Sequence, residues 1–269
     1  MLTIITSIYK SETYLKKYTD HLMRVGDVLS QQLDFECIVI ANDPSQKEID
    51  AFHTFQGKKW FTFMPVPREP LYATWNRGIS MAKGNVIGFW NVDDIRYAEA
   101  LLDGVHLIQN GADLVYFPFT ISWYVNVFGT SFLVKKKEIK PDQFERAKFV
   151  TGMHCGPFFL FSRDLYERVG AFDEQFRIAG DFDWCVRAAT VSEKFRLSSM
   201  HAGIFRVDGG GLSAGGKRRL QLENSVVFKR HAIPIDVGGL TDAEISSFNE
   251  KKMLYKGKYI DVFPFDKVA

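Results

Sequence analysis

Two adjacent carboxylates, Asp93 and Asp94, come just after the apolar run Val86-Ile87-Gly88-Phe89-Trp90. Ionised side by side at the end of a buried strand, they repel each other and lose hydration, a cost that a bound divalent cation removes. Magnesium and manganese take oxygen ligands and commonly use one or two carboxylates, with substrate phosphates and water in the other positions. The plainer use of such a pair is to cap the next helix, where negative charge is favourable. Asp43 stands in a similar place, after Ile38-Val39-Ile40-Ala41, and Asn42-Asp43-Pro44-Ser45 is equally good turn chemistry. A third acidic segment, Gly180-Asp181-Phe182-Asp183, precedes an amphipathic stretch and offers either a carboxylate base, with Gly180 leaving room for an acceptor, or a helix cap. The 6 histidines lack HExxH spacing, and His154 and His201 read either as polar site groups or as satisfied structural ones.

These groups matter only if the chain gathers them, and hydrophobic spacing indicates how. The opening Leu2-Thr3-Ile4-Ile5-Thr6-Ser7-Ile8 reads as a strand, without the charged head and continuous apolar stretch of a signal peptide. Leu15, Tyr18, Leu22, Val25 and Leu29 recur at three and four residues, one face of a helix beginning near Ser11. Residues 36–41 form a second strand, and Ser45 with Glu48 makes a capping-box pattern for the next helix. A further helix is predicted over residues 71–83, with Pro70 in its first turn and Gly84 at its stop. After the strand at 86–90 comes a helix that turns Ala98, Leu101, Leu102, Val105 and Ile108 inward and stops at Asn110-Gly111. This alternation over residues 1–115 predicts a parallel α/β sheet with right-handed crossovers, and such sheets bind ligands beyond the carboxyl ends of their strands. Asn42-Asp43 and Asn91-Val92-Asp93-Asp94 stand at such ends.

Residues 114–134 carry no charge, but Pro118, Asn126 and Gly129 interrupt them. Phe119, Ile121, Trp123, Val125 and Val127 also alternate with polar positions at strand period, which predicts an aromatic ribbon and not a membrane span. Trp123 and Tyr124 would either pack in a core or stack on a sugar. Beyond them lie a short helix ending at Val169-Gly170, a helix through residues 184–189, and a glycine-rich loop at 209–216. That loop lacks the lysine of a phosphate loop and reads as a turn or lid. A helix from Lys217 and a basic, aromatic tail follow.

With 269 residues, 46% hydrophobic and 25% charged, the chain is globular and not disordered. The 34 basic and 32 acidic side chains leave a formal charge of +2, which gives no field for nucleic acid. Cys37, Cys155 and Cys185 are widely separated in the sequence with no CxxC or CxxH spacing, which suggests neither a disulfide framework nor a zinc site and suits a reducing cytoplasm. Lys135-Lys136-Lys137, and Lys251, Lys252, Lys256 and Lys258 in the tail, are either solvated faces or a peripheral contact with anionic lipid on the inner face of a membrane.

The ordered set of segments resembles the inverting glycosyltransferases of family 2. Residues 7–15 look like that family's opening strand and loop, and residues 38–45 like its VVDDGS segment. Asn76-Arg77-Gly78-Ile79-Ser80-Met81-Ala82-Lys83-Gly84-Asn85-Val86-Ile87-Gly88-Phe89 is similar to NxGixxAkGeyigf, and Asn91-Val92-Asp93-Asp94 falls where the family has DSDD, its DxD motif. Residues 165–174 and 180–187 resemble lyekvGgFDe and EDyDlwlR, so the likeness runs over roughly residues 2–213.

The resemblance implies a GT-A fold: a Rossmann-like, mostly parallel sheet with helices on both faces and a less regular acceptor-side half. The implied organisation is one domain over residues 1–216, with a nucleotide-binding half at 1–115, an acceptor half at 116–216, and residues 217–269 packed on the same domain. It implies a hexosyltransferase-like enzyme that moves a sugar from a nucleotide-sugar, a UDP-sugar first, to a carbohydrate or lipid-linked glycan, with manganese or magnesium as cofactor. By position, Asp43 corresponds to the base contact, Asp93 and Asp94 to ribose and metal-diphosphate contacts, and Asp181 to the general base. Ser7, Tyr9, Asn76, Arg77 and Asn91 fall in donor-binding stretches, although Arg77 would serve equally in a structural salt bridge. Two departures stand out: Asn91 replaces the first Asp of DxD, and Asp208 falls in the segment where many members carry a His. Asp208, His154 and Trp123 are the remaining candidates for a third ligand or acceptor contact. Two rival classes are a nucleotide-sugar binding module without catalysis and a metal-dependent nucleotidyltransferase or phosphoester hydrolase. The missing GxGxR signature disfavours the nucleotidyltransferase.

Overall fold

The computed structural model describes residues 1–209, 216–250 and 252–262. The glycine-rich loop expected as a lid or turn falls mostly at 210–215, outside the described residues, as does Lys251. The chain opens with β1 (Leu2–Ile8) and α1 (Glu12–Gln32), whose Leu15, Tyr18, Leu22, Val25 and Leu29 are all buried, as their spacing predicts. β2 (Phe35–Asn42) is buried at every residue, the form of a strand covered on both faces. α2 (Gln46–Ala51) starts with a full capping box between Ser45 and Glu48. Next come β3 (Phe61–Val66), α3 (Leu71–Met81), β4 (Val86–Phe89), β5 (Ile95–Arg96), α4 (Ala98–Gln109), β6 (Leu114–Tyr116), β7 (Phe119–Val127) and β8 (Thr130–Ile139). The second half adds α5 (Arg146–Phe149), β9 (Leu160–Ser162), α6 (Arg163–Val169), α7 (Gly180–Val191), β10 (Phe195–Leu197) and β11 (Gly203–Val207). α8 (Lys217–Arg230), α9 (Asp242–Ser246), β12 (Lys252–Tyr255) and β13 (Lys258–Asp261) complete the described elements.

Seven strands form the central sheet in the order β10-β6-β9-β4-β1-β2-β3. Only the pairings of β9 are antiparallel. Alternate side chains of its strands feed two cores. Ile5, Ile38 and Ile40 pack with α3, α7 and α8 on one face, while Ile4, Cys37 and Val39 pack with α1 and α4 on the other. The abundant aromatics largely serve these cores, as in the stack of Trp75 on Phe89 with ring centres 3.7 Å apart. A second sheet, β5-β11-β7-β8, carries the aromatic ribbon as the long β7–β8 hairpin.

Two sequence expectations need correction. α3 ends at Met81 with Ala82 as its extended C-cap, and Pro70 lies just outside its first turn as the N-cap. Gly84 does not stop the helix. It lets the chain pass β1, where a Cβ would lie 2.5 Å from Thr3 Oγ1 and 2.8 Å from the Met1 carbonyl. β3, which carries Pro65, was not anticipated. It is an edge strand, where proline is tolerated. Among the described residues no helix is long and apolar enough to cross a membrane.

Candidate active site

Parallel pairing of β1 with β2 and β4 brings the residues after their carboxyl ends to one edge of the sheet. Ser7 and Tyr9, Asp43, and Asn91 to Asp94 all stand there. Asn42 holds this edge together: its Nδ2 donates to Ser7 Oγ at 3.3 Å and to Thr74 Oγ1 at 3.1 Å, and its Oδ1 accepts the Glu69 N–H at 3.0 Å. Asp43 is exposed, with φ of 47°. The Arg68 guanidinium lies 4.4 Å from the centre of the Tyr9 ring.

Asp93 and Asp94 do not cap α4. β5 intervenes, and the cap residue is Tyr97. Asp94 is buried, and its oxygens accept the Arg206 N–H at 2.9 Å and Asn91 Nδ2 at 3.0 Å. Asn91 therefore turns its amide to Asp94, where an aspartate would add a third carboxylate. Asp93 lines a cavity of about 210 Å³ with Tyr14, Lys17, Asp94, Tyr124 and Arg206. Burial pushes its carboxyl above the usual range, and the charge of Asp208 adds to the rise. Asp208 is anchored by the Tyr14 hydroxyl at 2.6 Å and by Arg206 Nε at 2.9 Å. The Arg206 guanidinium also lies 3.8 Å from the Tyr124 ring centre.

Hard oxygen donors that raise one another's protonation fit a divalent cation, which relieves their repulsion. Among the described residues no group of three or more His, Cys, Asp or Glu is placed to hold a metal ion.

Asp181 lies in the first turn of α7, half-buried. Its Oδ1 accepts the Tyr72 hydroxyl at 3.2 Å and the Phe182 N–H at 2.9 Å. Burial lifts its carboxyl to about 6. Tyr72 opens α3 just after β3, so Asp181 meets the sheet at the carboxyl edge. The sequence suggested that Gly180 clears space for an acceptor, but Tyr72 fills that space: a Cβ on Gly180 would come 2.6 Å from its ring. Asp183 turns away to Arg187 Nε at 2.9 Å, Arg230 Nη1 at 3.0 Å and His231 Nε2 at 3.0 Å.

Four other candidates do not line the Asp93 cavity. Asn76 is buried and its amide is spent on Phe172 and Glu174, joining α3 to the segment before α7. Arg77 closes both arms of its fork on Glu69 at 2.8 Å. His154 is exposed beside Thr151, and Trp123 lies under Lys135. Tyr14, Lys17, Tyr72 and Arg206 were missed as site residues. Tyr14 lies inside the opening family-like stretch and Arg206 two residues before Asp208, so both were within reach of the motif comparison.

The chain has the GT-A fold of known glycosyltransferases. TarS of S. aureus, residues 1–349 in complex with UDP-GlcNAc, superposes with a TM-score of 0.66 at 15% identity, over 92% of this chain and 71% of that one. The mannosyltransferase PcManGT of Pyrobaculum calidifontis, in complex with GDP-Man and Mn2+, gives 0.62 at 15% identity over 91% and 67%. Against TarS without that truncation the chain spans 41% of the partner's length. No curated protein matches the sequence. The family model of glycosyl transferase family 2 matches residues 3–170, and the chain belongs to that family.

Proposed function

We propose that the protein transfers a sugar from a nucleotide-sugar, a UDP-sugar first, to a hydroxyl of a carbohydrate or lipid-linked glycan, with inversion at the anomeric carbon. The observation that carries this is the Asp181 carboxylate at the carboxyl edge of the sheet, raised to about 6 and oriented by Tyr72. Such a group is ionised at neutral pH yet basic enough to accept a proton in the transition state. Its Oδ1 is engaged by Tyr72 and Phe182, so we assign Oδ2 as the proton acceptor. The acceptor oxygen attacks the anomeric carbon as its proton passes to Asp181, and the bond from that carbon to the diphosphate breaks with its electron pair on the phosphate oxygen.

On the donor side, Asp43 and Tyr9 would meet the nucleoside, while Lys17 and Arg206 bring positive charge to the cavity of Asp93. Asp93, with Asp208 beside it, would hold magnesium or manganese, which when bound neutralises charge growing on the leaving diphosphate. The Mn2+ and nucleotide-sugars in PcManGT and TarS support this choice of ligands. The organisation we propose is one domain to residue 216 with α8 and the tail packed on it, in a cytoplasmic protein with a peripheral membrane contact.

The test is nucleoside diphosphate release from UDP-, GDP-, CMP- and TDP-sugars by the wild type and by Asp181→Asn. Turnover should fall by about 10² or more while donor affinity and melting temperature hold. Transfer by Asp181→Asn at near the wild-type rate rejects the mechanism, and release of pyrophosphate instead would point to a nucleotidyltransferase.

A further inference from the structure

The β7–β8 hairpin outruns the sheet that carries it. β11 pairs with β7 only from Thr120 to Trp123, so among the described residues no third strand joins the two-stranded ribbon of residues 124–133. At this end Val125, Val127, Phe132, Leu133 and Val134 are exposed, and Phe128 at the turn is fully so. Large apolar side chains on a protruding ribbon cost solubility and, with no neighbouring strand, do little for the core. Next to them in β8, Lys135, Lys136 and Lys137 are exposed as well. Glu138, the nearest acidic residue on the strand, is paired with Lys140 at 3.6 Å.

We propose that this hairpin docks the protein on an anionic lipid surface, with Phe128 and its apolar neighbours entering the acyl boundary and the three lysines meeting the headgroups. The dimensions agree. From the Val127–Thr130 pair to the Trp123–Lys135 pair there are four residue steps, about 14 Å of strand. A headgroup layer is roughly 5 to 8 Å thick. With the lysines at its outer edge, the tip reaches the 5 to 10 Å depth typical of interfacial anchors. A second copy of the chain is the rival occupant, since β8 is an edge strand, but consecutive lysines on an edge are a device against pairing. A convex apolar tip with basic shoulders suits a fluid, negatively charged surface.

The hairpin is tied to the candidate site close to its turn, through Ser131, whose pair with Asn126 adjoins the Val127–Thr130 pair. Arg206 donates from Nη2 to Ser131 Oγ at 2.7 Å and packs over Tyr124. Docking would therefore set the Asp93 cavity beside the bilayer, where a lipid-linked acceptor presents its sugar. That consequence rests on the transferase reading; the docking does not.

The experiment is co-sedimentation of the whole chain with phosphatidylcholine vesicles, with and without about 30% phosphatidylserine. Phe128→Ser with Phe132→Ser, and Lys135→Glu with Lys136→Glu and Lys137→Glu, are run alongside. The wild type should bind the anionic vesicles in low salt and release in about 0.5 M salt. The apolar variant should bind at least tenfold more weakly and the charge variant about a hundredfold more weakly. Both should keep wild-type affinity for UDP with manganese in solution, a readout that separates docking from nucleotide binding. Equal sedimentation of all three proteins, equal binding to neutral vesicles, or a stable dimer dissociated by the Phe128 change would overturn the proposal.

Discussion

Glu223 of α8 accepts the main-chain N–H of Ala179 on Oε2 at 2.8 Å, two residues before Asp181. The same carboxylate takes the N–H of Ile178 at 2.7 Å and of Arg177 at 3.0 Å. α7 has no side-chain cap from its own N-cap residue, Ala179, and the turn leading into it is held by a fully buried carboxylate from a distant helix. The consequence reaches the candidate base, because the turn that Glu223 holds sets where Asp181 points. The negative charge of Glu223 also adds to the rise in the carboxyl of Asp181, whereas the Tyr72 hydroxyl opposes it.

Two variants should therefore move the acid limb of activity in opposite directions. Asp181 acts when ionised, so kcat/KM should climb with pH through about 6. Tyr72→Phe removes a bond that favours the carboxylate and should shift the limb to higher pH. Glu223→Gln removes a like charge and should shift it to lower pH, with a stability loss of about 1–3 kcal/mol from the imperfect replacement of an anion by an amide. A pH profile for each variant decides, and shifts of the same sign would contradict the assignment.

Much of the fold could be read because its signals are local. The faces of α1 and α4 follow from spacings of three and four, and the α2 capping box from two residues three apart. What could not be read depends on contacts between distant segments. Asp93 and Asp94 look equivalent in sequence and both line the cavity, and only the passage of β11, 112 residues on, engages Asp94 with the Arg206 N–H. Gly180 looked like space for a ligand because the ring that fills it comes from α3. The hold of Glu223 on the turn before α7 has no local signature at all.

The inequality of the two carboxylates can be tested. Asp93→Ala should abolish the strengthening of nucleoside diphosphate binding by manganese while changing the melting temperature little. Asp94→Ala should instead destabilise by about 1–3 kcal/mol, since it leaves the Arg206 N–H and the Asn91 amide without their acceptor. Calorimetry with metal and with chelator, beside thermal melts, separates the two. A metal dependence unchanged in Asp93→Ala would remove that residue from the metal site.

Gly180→Ala tests how closely α7 packs on Tyr72. The new methyl would come within 2.6 Å of the Tyr72 ring, which is stacked on Phe172 with ring centres 6.0 Å apart. Strain of this kind costs roughly 1–3 kcal/mol. Displacing the ring also loosens the bond to Asp181, so turnover should fall more than donor affinity. A protein with wild-type kinetics and melting temperature would show that Tyr72 yields freely and does not orient the base.

Asp183→Asn should behave quite unlike Asp181→Asn. Asp183 and its partners Arg187 and Arg230 are buried, so a neutral side chain leaves two guanidinium groups short of their counter-charge. Breaking such a cluster from one side costs about 3–5 kcal/mol. The pH dependence follows from the sign of the shift. Burial alone would push the Asp183 carboxyl up, but Arg230 and Arg187 hold it well below the usual carboxylate range. Its contribution is therefore fully present above the unfolded value, about 3.9, and is lost as pH falls through the folded one. The stability gap between wild type and Asp183→Asn should stay constant from neutral pH down to about 5 and narrow below about 4. Denaturant titrations across that range would show it, and a gap that widens in acid would mean that the arginines are not the source of the stabilisation.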